Sequence, residues 1–167
     1  MCSKGNEDCG SFAEPDTLKQ TAEFHRTFQC PVLSTPQIPS AERCALRINL
    51  IAEELQELRD AIAANDLVEV ADALADIQYV LSGTVHEFGL GNRFKDLFDE
   101  VHRSNMSKAC ETQEEAEETI AHYLQKDGTE AYFMEVNGKF NVYRRSDNKT
   151  LKSVKYSAAK LEPILKA

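Results

Sequence analysis

"EELQELRDAIAANDLVEVADALAD", residues 53–76, decides how this chain folds. Leucine, alanine and glutamate dominate it, and all three favour helix. Asn65 breaks the run, and Asp66 caps a new start. The pattern therefore predicts two helices folded back on each other at Asn65–Asp66. Upstream, Ser40 caps the first of them and Glu42 adds negative charge to its first turn, so it runs to about Ala64. Downstream, the second continues to about Phe88, where Gly89 and Gly91 end it. At 100° per residue, Leu46, Leu50 and Ala61 share one stripe that should be buried, and Glu53, Glu54 and Glu57 fall on or beside it. On the partner helix, Val70, Leu74, Ile77 and Leu81 form the apolar face. Glu69, Asp72 and Asp76 lie in a narrow arc at its edge.

Glu57 stands eight residues before Asn65, and Asp72 seven after it. Glu53 stands twelve before, and Asp76 eleven after. At about 1.5 Å of rise per residue the two acidic rows come to matching heights. Between Ile48 and Val80 there are eight acidic residues and one basic residue, Arg59. Local ion pairs therefore do not neutralise the rows, and crowded carboxylates raise one another's pKa. Divalent cations relieve that repulsion, and an all-oxygen ligand set suits Mg²⁺, or Mn²⁺, rather than zinc or copper. A single E-x-x-E is an ordinary solvated helix face, and Asp66 with Glu69 also reads as a capping box. The second row at matching height favours metal binding. A ferritin-like di-iron site needs Glu-x-x-His pairs, which the sequence does not contain.

The rest of the chain sets limits on function. A net charge of −9 argues against a general nucleic-acid binder. Five cysteines with no C-x-x-C pair argue against a disulfide framework or zinc site and fit a reducing cytoplasm. No apolar run reaches membrane-spanning length, and "MCSKGNEDCG" has no hydrophobic core for a signal peptide. A helix is expected over Asp16–Phe28, with Leu18, Ala22, Phe24 and Phe28 as its apolar side. "CPVLSTPQIPS" (30–40) is an extended, proline-rich connector. Further helices are expected over 94–108 and 112–128, with Thr112 as cap and Gly128 as stop. "AYFMEV" and "KFNVYRR" flank Asn137–Gly138, a strong hairpin signal, with Tyr132, Met134, Val136, Phe140 and Val142 expected on one packed face. A short strand is expected at Leu151–Val154 and a last helical turn, capped by Ser157, over Ala158–Leu165. No Ser-His-Asp arrangement or phosphate-binding glycine loop is visible.

"EELQE", eleven residues, then "EVAD" resembles the E-E-x-x-E…E-x-x-D signature of the all-α nucleoside triphosphate pyrophosphohydrolases. "DLVEVADALADIQYVLSGT" and "FDEVHRSNMSK" resemble the phosphoribosyl-ATP pyrophosphohydrolase-like branch of that MazG-like superfamily. The resemblance spans about residues 17 to 110, and more weakly "LKSVKYSAAKLEPIL" at the end. The pattern gives an all-α, four- to five-helix bundle with a small C-terminal β-hairpin appendage; the resemblance makes the bundle one of the MazG-like type, and the segment 128–149 departs from the family core. The expected division is a mobile polar tail at 1–14, a helical pyrophosphohydrolase-like domain at 15–127, and a hairpin with a short helix at 128–167.

By motif position, the resemblance implies Glu54, Glu57, Glu69 and Asp72 as Mg²⁺ ligands, with Glu53 and Asp76 as a further ligand or the group orienting the attacking water. It implies hydrolysis of a nucleoside triphosphate between the α and β phosphates, and a homodimer or dimer of dimers. Asn105 and Lys108 share a helix face. Arg103 and Lys108 suit phosphate oxygens and Asn105 the sugar or base, although basic residues at a helix end also simply favour its dipole. His102 is given no role, and His25 and Phe28 read equally as base pocket or core. The alternatives are phosphoribosyl-ATP as substrate, or a non-catalytic helical protein whose acidic face meets a basic partner.

Overall fold

The computed structural model describes residues 12–167, which form six helices and one two-stranded antiparallel hairpin. Of the expected N-terminal tail, residues 1–11 lie outside the described residues, and 12–14 are exposed and irregular. Two compact units follow, the first ending at Asn92 and the second running Arg93–Ala167.

The first unit holds α1 (Thr17–Thr27), α2 (Ala41–Ala64) and α3 (Leu67–Glu87). The caps are those the sequence signals. The Ser40 hydroxyl accepts from the Arg43 N–H at 3.4 Å, and Asp66 Oδ1 accepts from Val68 and Glu69 at 3.0 and 3.3 Å. Asn65 takes the left-handed conformation that reverses the chain (φ 55°). Helices α2 and α3 pack on each other, and α1 packs on α3. The proline-rich connector is tied down where the Leu33 N–H meets the His86 carbonyl at 3.0 Å and the Gln37 N–H meets Phe88 O at 3.1 Å. Gly89 permits this approach, because a Cβ there would lie 2.0 Å from the Thr35 carbonyl oxygen.

The interior of this unit departs from expectation. Of the α2 stripe only Ala61 is buried, and in the middle of α3 only Ala73. Leu46, Leu74 and Leu81 are exposed, as are Ile48, Ile62, Leu67 and Val68. A two-helix layer has two sides, and the chain covers the apolar side of neither helix completely. What is buried instead, towards the C-terminal end of α3, is polar: Thr21, His25, Arg47, Ser82, His86 and Glu87. On α1, Ala22 is buried as expected, but Phe24 is 41% and Phe28 63% exposed.

The second unit holds α4 (Phe94–Met106), α5 (Gln113–Asp127), β1 (Ala131–Val136), β2 (Lys139–Arg144) and α6 (Glu162–Lys166). Thr112 caps α5 and Gly128 ends it in the left-handed conformation. Asn137 and Gly138 have φ of 53° and 75°, so the turn is of the primed type that matches strand twist. Phe133 pairs with Val142 and Met134 with Asn141. That register corrects the expected packed face. Ala131 and Phe133, not Tyr132, Met134 and Val136, join Phe140 and Val142 against Cys110, Ala116, Ile120, Tyr123 and Leu151. A two-residue turn places residues of opposite parity opposite each other, so Tyr132 and Met134 cannot share a face with Val142.

The expected strand at Leu151–Val154 is reduced to a bridge between Thr150 and Tyr143 and a bond from the Leu151 N–H to Val142 O at 2.8 Å. The last helix starts at Glu162 rather than near Ala158, with Pro163 in its first turn, where a missing N–H costs nothing.

Candidate functional site

Glu54 is the centre of the acidic face on α2 and α3. Its side chain is half-buried, and its Oε2 is fully buried with no hydrogen-bond partner among the described residues. A buried carboxylate oxygen without a partner costs free energy. Burial pushes the Glu54 carboxyl above its ordinary pKa, and the charges of Glu57, Asp76, Glu53 and Asp72 push it the same way. Those four neighbours are four of the residues singled out from the sequence. Asp76 is half-buried on α3, whereas Glu53, Glu57 and Asp72 are exposed. Glu69 is exposed as well, and with Glu57 it lines a cleft of about 330 Å³ that Asp60 and Asp66 also border.

This geometry brings the two rows together across the helix pair, as equal heights require. It also resolves the directions of the adjacent glutamates: Glu54 turns inward and Glu53 stays in solvent. Among the described residues, no three His, Cys, Asp or Glu side chains stand close enough together to form a finished metal cage. Carboxylates at this spacing repel and do not close up by themselves. The donor set is nonetheless all oxygen and surrounds an orphaned carboxylate, so it fits a hard divalent cation. No described basic side chain pairs with any of the six residues.

The acidic rows are anchored from one end by a charge network that the sequence did not reveal. Glu87, 1% exposed, receives Arg43 Nε at 2.8 Å on Oε2 and Arg47 Nε at 2.7 Å on Oε1. Arg47 is itself buried, and Arg43 is a third exposed. His25 lies beside this group. Its Nδ1 donates to the Pro31 carbonyl at 2.8 Å, and burial holds its pKa below the usual imidazole value. The His86 ring is 5.9 Å away and its Nε2 donates to Leu18 O at 2.7 Å. Thus His25 is core. The only signals were Arg43 and Arg47 at i, i+4 on α2 and an acid at the apolar end of α3.

Arg103, Asn105 and Lys108 lie in the second unit. The Arg103 guanidinium is spent on Glu100, at 2.7 and 2.8 Å, and on the Ala158 carbonyl at 3.2 Å. It braces α4 to the C-terminal segment. Lys108 Nζ donates to Asn105 Oδ1 at 2.8 Å, and both residues border a second cleft. His102 is exposed.

Comparison with known proteins agrees with the motifs. The phosphoribosyl-ATP pyrophosphohydrolase family model matches residues 21–105, half of the chain. An uncharacterized protein of Acanthamoeba polyphaga mimivirus is 24% identical in an alignment that covers 86% of this chain and 93% of that protein.

Proposed function

Because the chain belongs to the phosphoribosyl-ATP pyrophosphohydrolase family, within the MazG-like nucleoside triphosphate pyrophosphohydrolase superfamily, we propose that it hydrolyses a (deoxy)nucleoside triphosphate to the monophosphate and pyrophosphate. The family is one of divalent-metal-dependent pyrophosphohydrolases, and here the ion is Mg²⁺, with Mn²⁺ as a substitute. The observation that carries the reading is the buried, unpartnered Glu54 Oε2 amid four further carboxylates. Glu54, Glu57, Glu69 and Asp72 hold the metal. A divalent ion in their grasp neutralises phosphate charge and acidifies a water. Glu53 and Asp76 orient the attacking water, and whichever is free of coordination accepts its proton. Arg103 keeps α4 and the C-terminal segment in place, so that Asn105 and Lys108 meet the substrate. The buried Ala61 on α2 and Ala73 on α3 let the two helices pack closely and keep the rows opposed.

The exposed apolar side chains of α2 and α3, with Ile62 at 61% and Leu67 at 80%, support a homodimer or dimer of dimers in which a second copy covers them. The setting is the cytoplasm and the purpose is house-cleaning of the nucleotide pool. No helix among the described residues is long and apolar enough to cross a membrane.

The test is a panel of canonical and modified nucleoside triphosphates with Mg²⁺, read by pyrophosphate release. No release from any of them by folded protein would overturn the proposal. Phosphoribosyl-ATP belongs in the same panel, because the matching family model carries its name; turnover of it alone would reassign the substrate. If calorimetry finds no metal binding even with nucleotide present, the acidic face is a docking surface for a basic partner instead.

A further inference from the structure

The two edges of the hairpin differ, and the register shows how. Val136 faces Lys139 across the two-residue turn, Met134 faces Asn141, and Tyr132 faces Tyr143. These pairs carry the bonds between the strands, because the pair flanking such a turn is hydrogen-bonded and bonding then alternates. The N–H and C=O groups of Ala131, Phe133 and Glu135 therefore point outward from β1, and those of Phe140, Val142 and Arg144 point outward from β2. The β2 edge is covered. Phe140 exchanges bonds with Cys110 at 2.8 and 2.9 Å, Val142 O accepts from the Leu151 N–H at 2.8 Å, and the Arg144 N–H donates to Lys149 O at 2.9 Å. Among the described residues, nothing bonds to the outward groups of Ala131, Phe133 or Glu135.

The β1 edge is also unprotected. Natural sheets blunt an open edge with Lys, Pro or a bulge. "AYFMEV" has none of these: its register is unbroken, and it carries Tyr, Phe and Val, all strong strand formers, with one charge, Glu135. The basic residues Lys139 and Arg144 stand on β2, the covered strand. On the face of the hairpin away from the core, Met134 is 52% and Val136 44% exposed.

A second copy of β1 fits this edge. Two antiparallel strands related by a two-fold axis pair about one central position, with the same patch on both. Centred on Phe133, the pairing uses the outward groups of all three residues. Phe133 opposes the partner's Phe133, and Ala131 opposes the partner's Glu135 at each end, for about six hydrogen bonds. Arg144 faces Ala131 within the hairpin, so the partner's Glu135 and Arg144 flank the small Ala131 on one face of the joined sheet. On the other face Tyr132 lies beside the partner's Met134, a favourable pairing of ring and sulfur. A centre on Glu135 would set two carboxylates opposite each other and carry Ala131 past the end of the strand. A centre on Ala131 would carry Glu135 past its start. Charge and parity thus select one register.

We propose that β1 is a self-association edge: the hairpins of two copies join by antiparallel β1–β1 pairing centred on Phe133, into one four-stranded sheet. The contact is smaller than a standard interface of about 1,600 Å², so the association depends on concentration. It lies in the second unit and rests neither on the contact proposed for α2 and α3 nor on the proposed reaction.

Cross-linking tests the register. Tyr132 and the partner's Met134 form a pair without hydrogen bonds, with Cα atoms about 4.5 Å apart, which is within disulfide range. Under mild oxidation, an equimolar mixture of Tyr132→Cys and Met134→Cys proteins should give a mixed disulfide dimer. Either protein alone should cross-link no more than the wild type, whose native cysteines set the background, because like positions stand about 7–8 Å apart on the diagonal. Glu135→Pro removes an outward donor and no bond between β1 and β2. In sedimentation velocity up to millimolar protein it should weaken association at least tenfold, with circular dichroism unchanged. Amide exchange at Phe133 and Glu135 should slow as wild-type concentration rises, a readout independent of any variant. Leu67→Glu, on the exposed side of α3, should leave the mixed disulfide intact when added to both cysteine proteins, which separates this contact from the one on α2 and α3. Absence of the mixed disulfide, or exchange at Phe133 and Glu135 that ignores concentration, overturns the proposal. An edge that fails to cross-link but takes up an extended peptide overturns it too, by giving β1 a different occupant.

Discussion

Replacing Glu87 by Gln tests whether the buried charge network holds α2 against α3. The carboxylate is 1% exposed, and Arg47 beside it is nearly as buried. Removing one partner of such a pair leaves a charge in the interior without compensation, which costs about 3–5 kcal/mol. Arg43 is a third exposed, so water screens its share, and Arg43→Met should cost under about 1 kcal/mol. Arg47→Met leaves Glu87 to Arg43 alone and should fall between these limits. Replacing the whole group (Glu87→Leu, Arg43→Met, Arg47→Met) removes the desolvation penalty along with the attraction. It should be neutral or stabilising by about 1–4 kcal/mol. Urea denaturation at one fixed protomer concentration measures all four, because self-association shifts apparent stability. The pH dependence supplies an internal check. Burial pushes the Glu87 carboxyl up, but the hydrogen bonds from Arg43 and Arg47 outweigh it and hold the pKa below 4.5. Its stabilisation is therefore complete above pH 4.5 and is lost as pH falls through the lowered folded-state value. Glu87→Gln should flatten the curve in that window. A Gln variant within about 0.5 kcal/mol of wild type, well short of the cost given above, would refute the reasoning.

Other expectations follow from the same geometry. A Cβ on Gly83 would lie 2.7 Å from His25 Nε2 and 2.8 Å from Arg47 Nη1. Gly83→Ala should therefore destabilise by about 1–3 kcal/mol in urea, although Ala is the better helix former. Burial lowers the His25 pKa below 6.5 in the fold, with Arg47 and His86 adding to it against Pro31 O and Glu87. The unfolded chain then binds the proton first, so stability declines as pH falls below 6.5, and His25→Gln should remove that slope. Glu54→Gln should abolish pyrophosphate release. In chelator-treated buffer its melting temperature should equal or exceed that of wild type, because it relieves a buried, repelled carboxylate. A Glu54→Gln protein that still turns over would remove Glu54 from the metal set.

Much of the fold could be read because its signals are local. Ser40, Asp66 and Thr112 cap helices through bonds to N–H groups two or three residues on, and Asn137–Gly138 needs only its own backbone angles. The pairing of the acidic rows was legible for a related reason. A hairpin turn at a known residue converts sequence distance into height, so Glu57 and Asp72 could be matched by counting. The same arithmetic, applied with care, would have corrected the hairpin face. The two-residue turn dictates that Val142 opposes Phe133, yet the alternation of Tyr132, Met134 and Val136 drew the reading to the wrong parity.

What stayed hidden depends on contacts between distant segments. Glu87 meets residues 40 and 44 positions away. Tyr156 meets Ser104, 52 positions away, and Lys152 only after α4 ends and the chain returns past the hairpin. Periodicity classifies a residue by its own helix and cannot show which charge from elsewhere will reach it. It also misjudged burial on α2 and α3, since an apolar stripe tells that a face needs covering but not by what. The polar interior and the uncovered faces fit one physical division of labour. At the C-terminal end of α3, ion pairs and histidines fix the helices of one chain to one another, and further along the pair the apolar side chains of Ile62, Leu67 and Val68 stay exposed. On that view the Glu87 network has a specificity role as well as a stability role. It sets the register of the acidic rows, so the all-apolar triple variant should equal or exceed the wild type in urea and still release pyrophosphate more slowly.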